Sequence, residues 1–345
     1  MRRPTLALAA AILCLAPNGA AAQEDAQPLA PSAASQGAEP TESPLLPTPT
    51  LGPPGASAAP AATAAPPTGA TSDAAFGAYQ RGLYLSALRI AEPLANLGDA
   101  AAQTLLGEIY LRGLGVPQDD EEAARWYRVA ADSGVPQAQF RYAMMLIDGE
   151  GVEKDTEAAR ELMRQAADAG EPLAAFNYGQ MLIRASPTGG FTEAFGYFEK
   201  AAESGVPDGQ YALSQLYAHG QGVPEASDVE ARRWLLAAAI KGHDTAQIEL
   251  GIWLINGRGG PPDPLSGFRW LKGAAESGNP IAINRVAHLY RDGIGTTRDT
   301  DEAAKWAVLA RRAGNADPGL DSFLRGLPED QQRRALEAAN RIPAG

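Results

Sequence analysis

Cysteine, histidine and aromatic residues are scarce in this chain: one Cys, three His and 7% Phe, Trp and Tyr among 345 residues. The single cysteine, Cys14, lies in an apolar run that reads as a removable leader, so the mature chain keeps no thiol. Disulfide staples, thiol catalysis and cysteine-based metal sites are thereby excluded, and stability has to come from packing and helix capping. Catalytic signatures are missing too: there is no H-E-x-x-H, no G-x-S-x-G, no phosphate-cradling glycine loop and no Ser-x-x-Lys. No apolar run reaches the ~20 residues a helix needs to cross a bilayer.

The N-terminus carries its own signal. Arg2 and Arg3 precede an apolar stretch from Leu6 to Ala16, and Ala20-Ala21-Ala22 offers a small-residue cleavage site before Gln23. The expectation is a cleaved secretory signal over residues 1–22, a periplasmic or secreted mature chain, and no transmembrane segment after cleavage. Cys14 has leucine on both sides, which does not suit lipidation. Losing Arg2 and Arg3 leaves 27 basic against 41 acidic residues, a formal charge of −14 in place of −12. That balance argues against nucleic acid and anionic membranes as partners and favours a basic protein segment.

Residues 23–71 hold eleven prolines, no aromatic residue and no Lys or Arg. Such a stretch cannot bury enough apolar surface to offset the entropy of ordering, and reads as a Pro/Ala-rich disordered linker. It serves either as a spacer or as a docking peptide anchored on Leu45-Leu46.

The remainder is repetition. A closing glycine falls at Gly134, Gly170, Gly205, Gly242, Gly278 and Gly314, at spacings of 36, 35, 37, 36 and 36. A period in this range means stacked supersecondary units, each unable to bury its apolar faces alone. Each unit reads as two antiparallel helices. Asp119, Asp155, Gly190, Ser227, Asp263 and Asp299 are expected to cap the second helix, and Pro136, Pro172, Pro207 and Pro280 to open the first helix of the next unit. Small residues at Gly107, Ala143, Gly179, Ser214, Gly251 and Ala287 let the helices approach closely, and the column Trp126, Leu162, Tyr197, Trp234, Trp270 and Trp306 is expected to fill the remaining core.

In its best copy the pattern is carried by Ala102-Gln103, Leu106-Gly107, Tyr110, Gly113, Gly115-Val116, Trp126-Tyr127 and Ala130-Ala131. It resembles the Sel1-like repeat, a relative of the tetratricopeptide repeat. The resemblance implies an all-α fold, a right-handed superhelical solenoid of antiparallel helix pairs. The solenoid is expected over 72–314, with a degenerate first unit at 72–98 and six units over 99–314. Residues 315–345 form a C-terminal capping region, with Pro328 at the first position of a helix running to Arg341 and one or two helical turns at Asp321 to Arg325. The third copy departs, with Ala185-Ser186-Pro187 where a loop glycine is expected.

The variable stripe of each first helix holds the candidate binding residues: Arg141, Met144, Asn177, Gln180, Gln215, Glu249, Ile252, Arg285 and His288. In helix-pair solenoids such stripes line the concave wall. The resemblance implies a non-enzymatic scaffold or adaptor for a protein or peptide partner in the cell envelope, in signalling or exopolysaccharide assembly, with no cofactor and no metal. His219 and His288 stand two units apart, on the order of 20 Å, too far to share an ion. Two rivals are weighed. An envelope hydrolase or β-lactam-binding enzyme lacks any nucleophile and base motif; a small-molecule or pH sensor rests on His219 and His288 alone.

Overall fold

A computed structural model describes residues 70–342, all within the second of the two units (64–345) into which the chain divides. The leader at 1–22 and the linker up to residue 69 lie outside the described residues.

Among the described residues there are sixteen α-helices and no strand. A leading pair, α1 (Ser72–Gln80) and α2 (Tyr84–Asn96), precedes six fuller pairs. These are α3 (Ala100–Arg112) with α4 (Asp120–Asp132), α5 (Pro136–Asp148) with α6 (Thr156–Asp168), and α7 (Pro172–Ala185) with α8 (Gly190–Glu203). They continue as α9 (Pro207–His219) with α10 (Asp228–Ile240), α11 (Asp244–Asn256) with α12 (Pro264–Glu276), and α13 (Pro280–Asp292) with α14 (Thr300–Arg312). Two more helices, α15 (Pro318–Arg325) and α16 (Glu329–Asn340), complete the tail. Each helix of the pairs packs chiefly on its predecessor and its successor, which makes the fold a solenoid of helix pairs. The first helix of a pair is called A below, the second B. No helix among the described residues is long and apolar enough to cross a membrane.

Local backbone chemistry sets the helix ends. Asp119, Asp155, Ser227, Asp263 and Asp299 each accept a hydrogen bond from the amide three residues on and so cap a B helix. Gly190 departs from this expectation: the cap of α8 is Gly189, and Gly190 is instead the point where the chain touches α7. A Cβ there would lie 2.3 Å from the Leu182 carbonyl oxygen, so only glycine fits. Pro136, Pro172, Pro207 and Pro280 stand in the first turn of their A helices, where no amide donor is needed. In the tail, α15 starts at Pro318 rather than at Asp321, because Asp317 caps it, and Pro328 is the cap of α16 rather than its first residue.

The core column lies one residue later than expected. A Cβ on Gly107 would stand 2.8 Å from the ring of Tyr127, one on Gly179 2.8 Å from Phe198, and one on Gly251 2.7 Å from Leu271. Tyr127, Met163, Phe198, Leu235 and Leu271 are each at most 1% exposed. Of the expected fillers, Trp126 and Trp306 are buried, whereas Leu162, Tyr197, Trp234 and Trp270 are only half-buried. The phase of the helix explains the shift: Tyr127 follows Ala123 by four residues and precedes Ala130 by three, so it shares the face of the buried alanines.

A glutamine ties consecutive units together. Gln103, Gln139, Gln210 and Gln247 donate through Nε2 to the carbonyl oxygens of Ala95, Ala131, Ala202 and Ala239, at 3.0, 3.4, 3.1 and 3.2 Å. Each acceptor lies at the end of the preceding B helix, where carbonyls have no partner within the helix.

Candidate functional site

The A helices present the variable stripe, and side-chain contacts link one A helix to the next along it. On α3, Glu108 accepts from the Tyr127 hydroxyl at 2.8 Å, pairs with Arg112, and lies 3.8 Å from Arg141 on α5. On α9, Gln215 donates through Nε2 to Glu249 on α11 at 2.9 Å. On α13, His288 Nε2 donates at 2.8 Å to Asp317, which belongs to the tail. The stripe is therefore a surface of neighbouring helices, tied across at two places and joined to the tail at a third.

Eight of the nine candidate residues fall into two groups, and the ninth, Glu249, belongs to the polar cluster described next. Gln215 is buried and engaged with Glu249, and His288 is held by Asp317. Asn177 turns its amide back to the Leu173 carbonyl of its own helix at 2.7 Å. Ile252 packs partly into the core cluster beneath α13. These four serve the fold as much as the surface. Met144 and Gln180 are half-buried and have no polar partner among the described residues, and Arg285 is exposed and likewise unpaired. Arg141 is half-buried, with its guanidinium 5.9 Å from the Phe140 ring.

The densest polar cluster spans α9 and α11. Burial pushes the Glu249 carboxyl above its ordinary pKa, against hydrogen bonds from Tyr211 and Gln215 and the charges of Arg258 and His219. His243 stacks on the Tyr211 ring, with centroids 4.5 Å apart. Its Nδ1 accepts from the Ala246 amide at 3.1 Å and so caps α11, while Nε2 lies 3.6 Å from Asp208. Burial lowers the His243 pKa, opposed by the charge of Asp208. His219 Nδ1 lies 2.9 Å from the Gln215 carbonyl oxygen. The three histidines thus have separate partners, and no group of three His, Cys, Asp or Glu placed to hold a metal exists among the described residues. Tyr211, His243 and Asp317 were not read as site residues from the sequence. Tyr211 stands one position before the stripe, and Asp317 follows the last repeat.

A row of helix pairs of nearly constant length, each packed on the next, defines a helical repeat protein. The particular family follows from comparison. The Sel1 repeat matches six times, at residues 100–135, 136–171, 172–206, 207–243, 244–279 and 280–315, and the chain belongs to this family. A Sel1 repeat protein from Oxalobacter formigenes is 26% identical over 69% of this chain and 96% of its own, with a TM-score of 0.59. A protective antigen present in uropathogenic Escherichia coli strains is 27% identical over 75% of this chain and 64% of its own, with a TM-score of 0.50. Among curated relatives, an exopolysaccharide production negative regulator from Rhizobium leguminosarum bv. viciae is 33% identical over 162 residues, covering 43% of this chain and 58% of that protein. A chitin synthase regulator from Malassezia restricta is 31% identical over 119 residues, 34% of this chain but 8% of its own length. In both, the match spans less than two thirds of the relative.

Proposed function

We propose that this chain is a non-enzymatic scaffold of the cell envelope that captures a protein or peptide partner on its A-helix stripe and so regulates polysaccharide or envelope assembly. One observation carries the reading. Packing positions repeat from unit to unit, whereas the stripe position varies, with Arg141, Asn177, Glu249 and Arg285 on α5, α7, α11 and α13 and the buried Leu105 and Ala212 on α3 and α9. The acidic balance of the chain favours a partner with a basic segment. Names of relatives that regulate chitin synthase and exopolysaccharide production support the regulatory class. Export rests on the leader read at residues 1–22.

The test is affinity capture from an envelope fraction with the wild type and with a charge-altering triple variant, Arg141→Glu, Glu249→Lys and Arg285→Glu. The expected result is loss of one or more captured proteins with helical content unchanged. Identical capture profiles from the two baits would overturn the role of the stripe. Recovery of the unprocessed chain in the cytosolic fraction would overturn the envelope location.

A further inference from the structure

Every A helix begins with backbone amides that have no acceptor within the helix. Thr71, Asp99 and Asn279 serve them with a side-chain oxygen. Val135, Glu171 and Val206 make no side-chain cap, and a proline follows each in the first turn. The α11 helix has neither device. Its first residue is Asp244, and its cap is the imidazole of His243, whose Nδ1 accepts from the Ala246 amide at 3.1 Å. A ring nitrogen accepts only while it carries no proton. The bond therefore fixes the neutral tautomer with its hydrogen on Nε2, the nitrogen that lies 3.6 Å from Asp208 of α9. The same ring stacks on Tyr211 of α9, with centroids 4.5 Å and planes 24° apart, and the His243 side chain is only 12% exposed. One side chain thus caps α11 and packs on α9. One turn further on, Gln247 donates to Ala239 at the end of α10.

We propose that His243 is a proton-operated latch on the joint between the α9–α10 and α11–α12 pairs: its neutral ring holds the start of α11 against α9, and its protonated ring releases it. A proton on Nδ1 sets donor against donor at the Ala246 amide, so the cap is lost. The same proton gives the ring a full charge opposite Asp208 and draws it toward α9. Asp208 is 57% exposed, so this ion pair offsets little of the loss. Asp208 and Tyr211 face the ring from α9 and Asp244 from α11, while Lys241, at the end of α10, has its ammonium beside Gly205. Glu249 and His219 stand further along the same contact. Burial outweighs the two aspartates and holds the His243 pKa below its ordinary value, near 6.5. A base with a depressed folded-state pKa contributes its full stability above the unfolded value and loses it as pH falls below that value. The oxygen caps of Thr71 and Asn279 do not titrate, and the Asp99 carboxyl lies below its ordinary range. Mild acid therefore opens one joint and leaves the other capped A helices closed. The latch does not depend on what the stripe binds.

Imidazole nitrogen NMR and amide hydrogen exchange of the full chain, between about pH 7.5 and pH 5, test this. At the upper pH His243 is expected on the Nε2–H tautomer. As the ring titrates, protection of the Ala246 amide, taken relative to its intrinsic exchange rate at each pH, should fall roughly fivefold. His243→Asn supplies the oxygen cap that Asn279 gives α13 and cannot titrate, so its Ala246 protection should stay level over the same range. Glu249 and His219 are common to both chains, and the comparison cancels their titration. An Nδ1–H tautomer at the upper pH, which needs no variant to detect, would overturn the proposal. So would a wild type whose Ala246 amide keeps its protection once His243 is charged, or a parallel loss of protection in His243→Asn.

Discussion

One carboxylate, that of Asp317, holds the imidazole of His288 on α13 at 2.8 Å with Oδ2 while its Oδ1 accepts from the amides of Gly319 and Leu320 at 2.8 and 3.0 Å. Asn284 adds a second donor side chain, to the same Oδ2, at 3.1 Å. The residue that starts α15 is thus the residue that ties the tail to the last A helix.

These contacts hold the Asp317 carboxyl well below the usual carboxylate range, with the His288 hydrogen bond as the largest cause and the Leu320 amide and Asn284 following. A carboxyl with a depressed folded-state pKa contributes stability above its unfolded pKa, near 4, and loses it as pH falls toward the lower folded value. Asp317→Ala is expected to destabilise the chain by about 1–2 kcal/mol at pH 7, from the lost cap and the unpaired His288 and Asn284. The difference from wild type should shrink below about pH 4. Thermal melts of both proteins between pH 3 and pH 7 read it, and hydrogen exchange should place the loss in α15 and α16.

The second loop glycine, present in five of the six full units, supports a sharper contrast. Gly151 has φ +66° and lies against the start of α4, where an added Cβ would stand 2.0 Å from the Asp120 carbonyl oxygen. Gly134 has φ +80° and nothing within 4 Å of the same point. Alanine at Gly134 meets only the left-handed backbone penalty, about 1–2 kcal/mol. Alanine at Gly151 meets that penalty and a backbone clash, a further ~1–3 kcal/mol. Urea denaturation of the two variants should rank Gly151→Ala as the less stable; equal midpoints would refute the account of this loop.

Much of the frame was legible because short-range chemistry carries it. An aspartate or serine that caps a helix, a proline that opens one and a glycine in the left-handed region act through neighbouring amides, and their spacing alone places them. The core column was less legible. Trp126 is more conspicuous than Tyr127 and recurs at the same period, but the helical phase of Ala123 and Ala130 was the signal that separates the buried face from the rim. The glutamine of each Ala-Gln pair was visible as a motif, whereas its acceptor, eight residues upstream on another helix, was not. Periodicity alone put the candidate stripe on the A helices. Which members are spent on internal contacts depends on partners such as Asp317 and Tyr211, which only the folded chain brings near.

Gln103 allows a direct measure of the ties between units. Its side chain is 3% exposed and its Nε2 donates to the Ala95 carbonyl oxygen, the end of the helix before it. Gln103→Ala leaves that buried carbonyl without its side-chain donor and opens a small void, for a cost of about 1–3 kcal/mol. Because units stack on nearest neighbours, the loss should appear first as fraying of α1 and α2 rather than as global unfolding. Faster amide exchange confined to residues before α3 checks this, and uniform acceleration along the chain would contradict it.

Glu249 supplies the opposite pH sign. Its carboxyl is pushed up by burial more than its hydrogen bonds and neighbouring cations pull it down. A group whose folded pKa exceeds its unfolded value gives its full stability below the unfolded pKa and loses it as pH rises through the folded value. At pH 7 the charged form is therefore a net burden on the contact between α9 and α11. Glu249→Gln keeps an acceptor for Tyr211 or Gln215 and removes the charge, so it is expected to melt at or above wild type at pH 7. The advantage should vanish near pH 4, where both side chains are neutral. A Gln variant that melts below wild type at pH 7 and equals it at pH 4 would show instead that the ionised carboxylate strengthens the tie to Gln215. In that case the charge, and not the fit of the cluster, is what the stripe needs at this point.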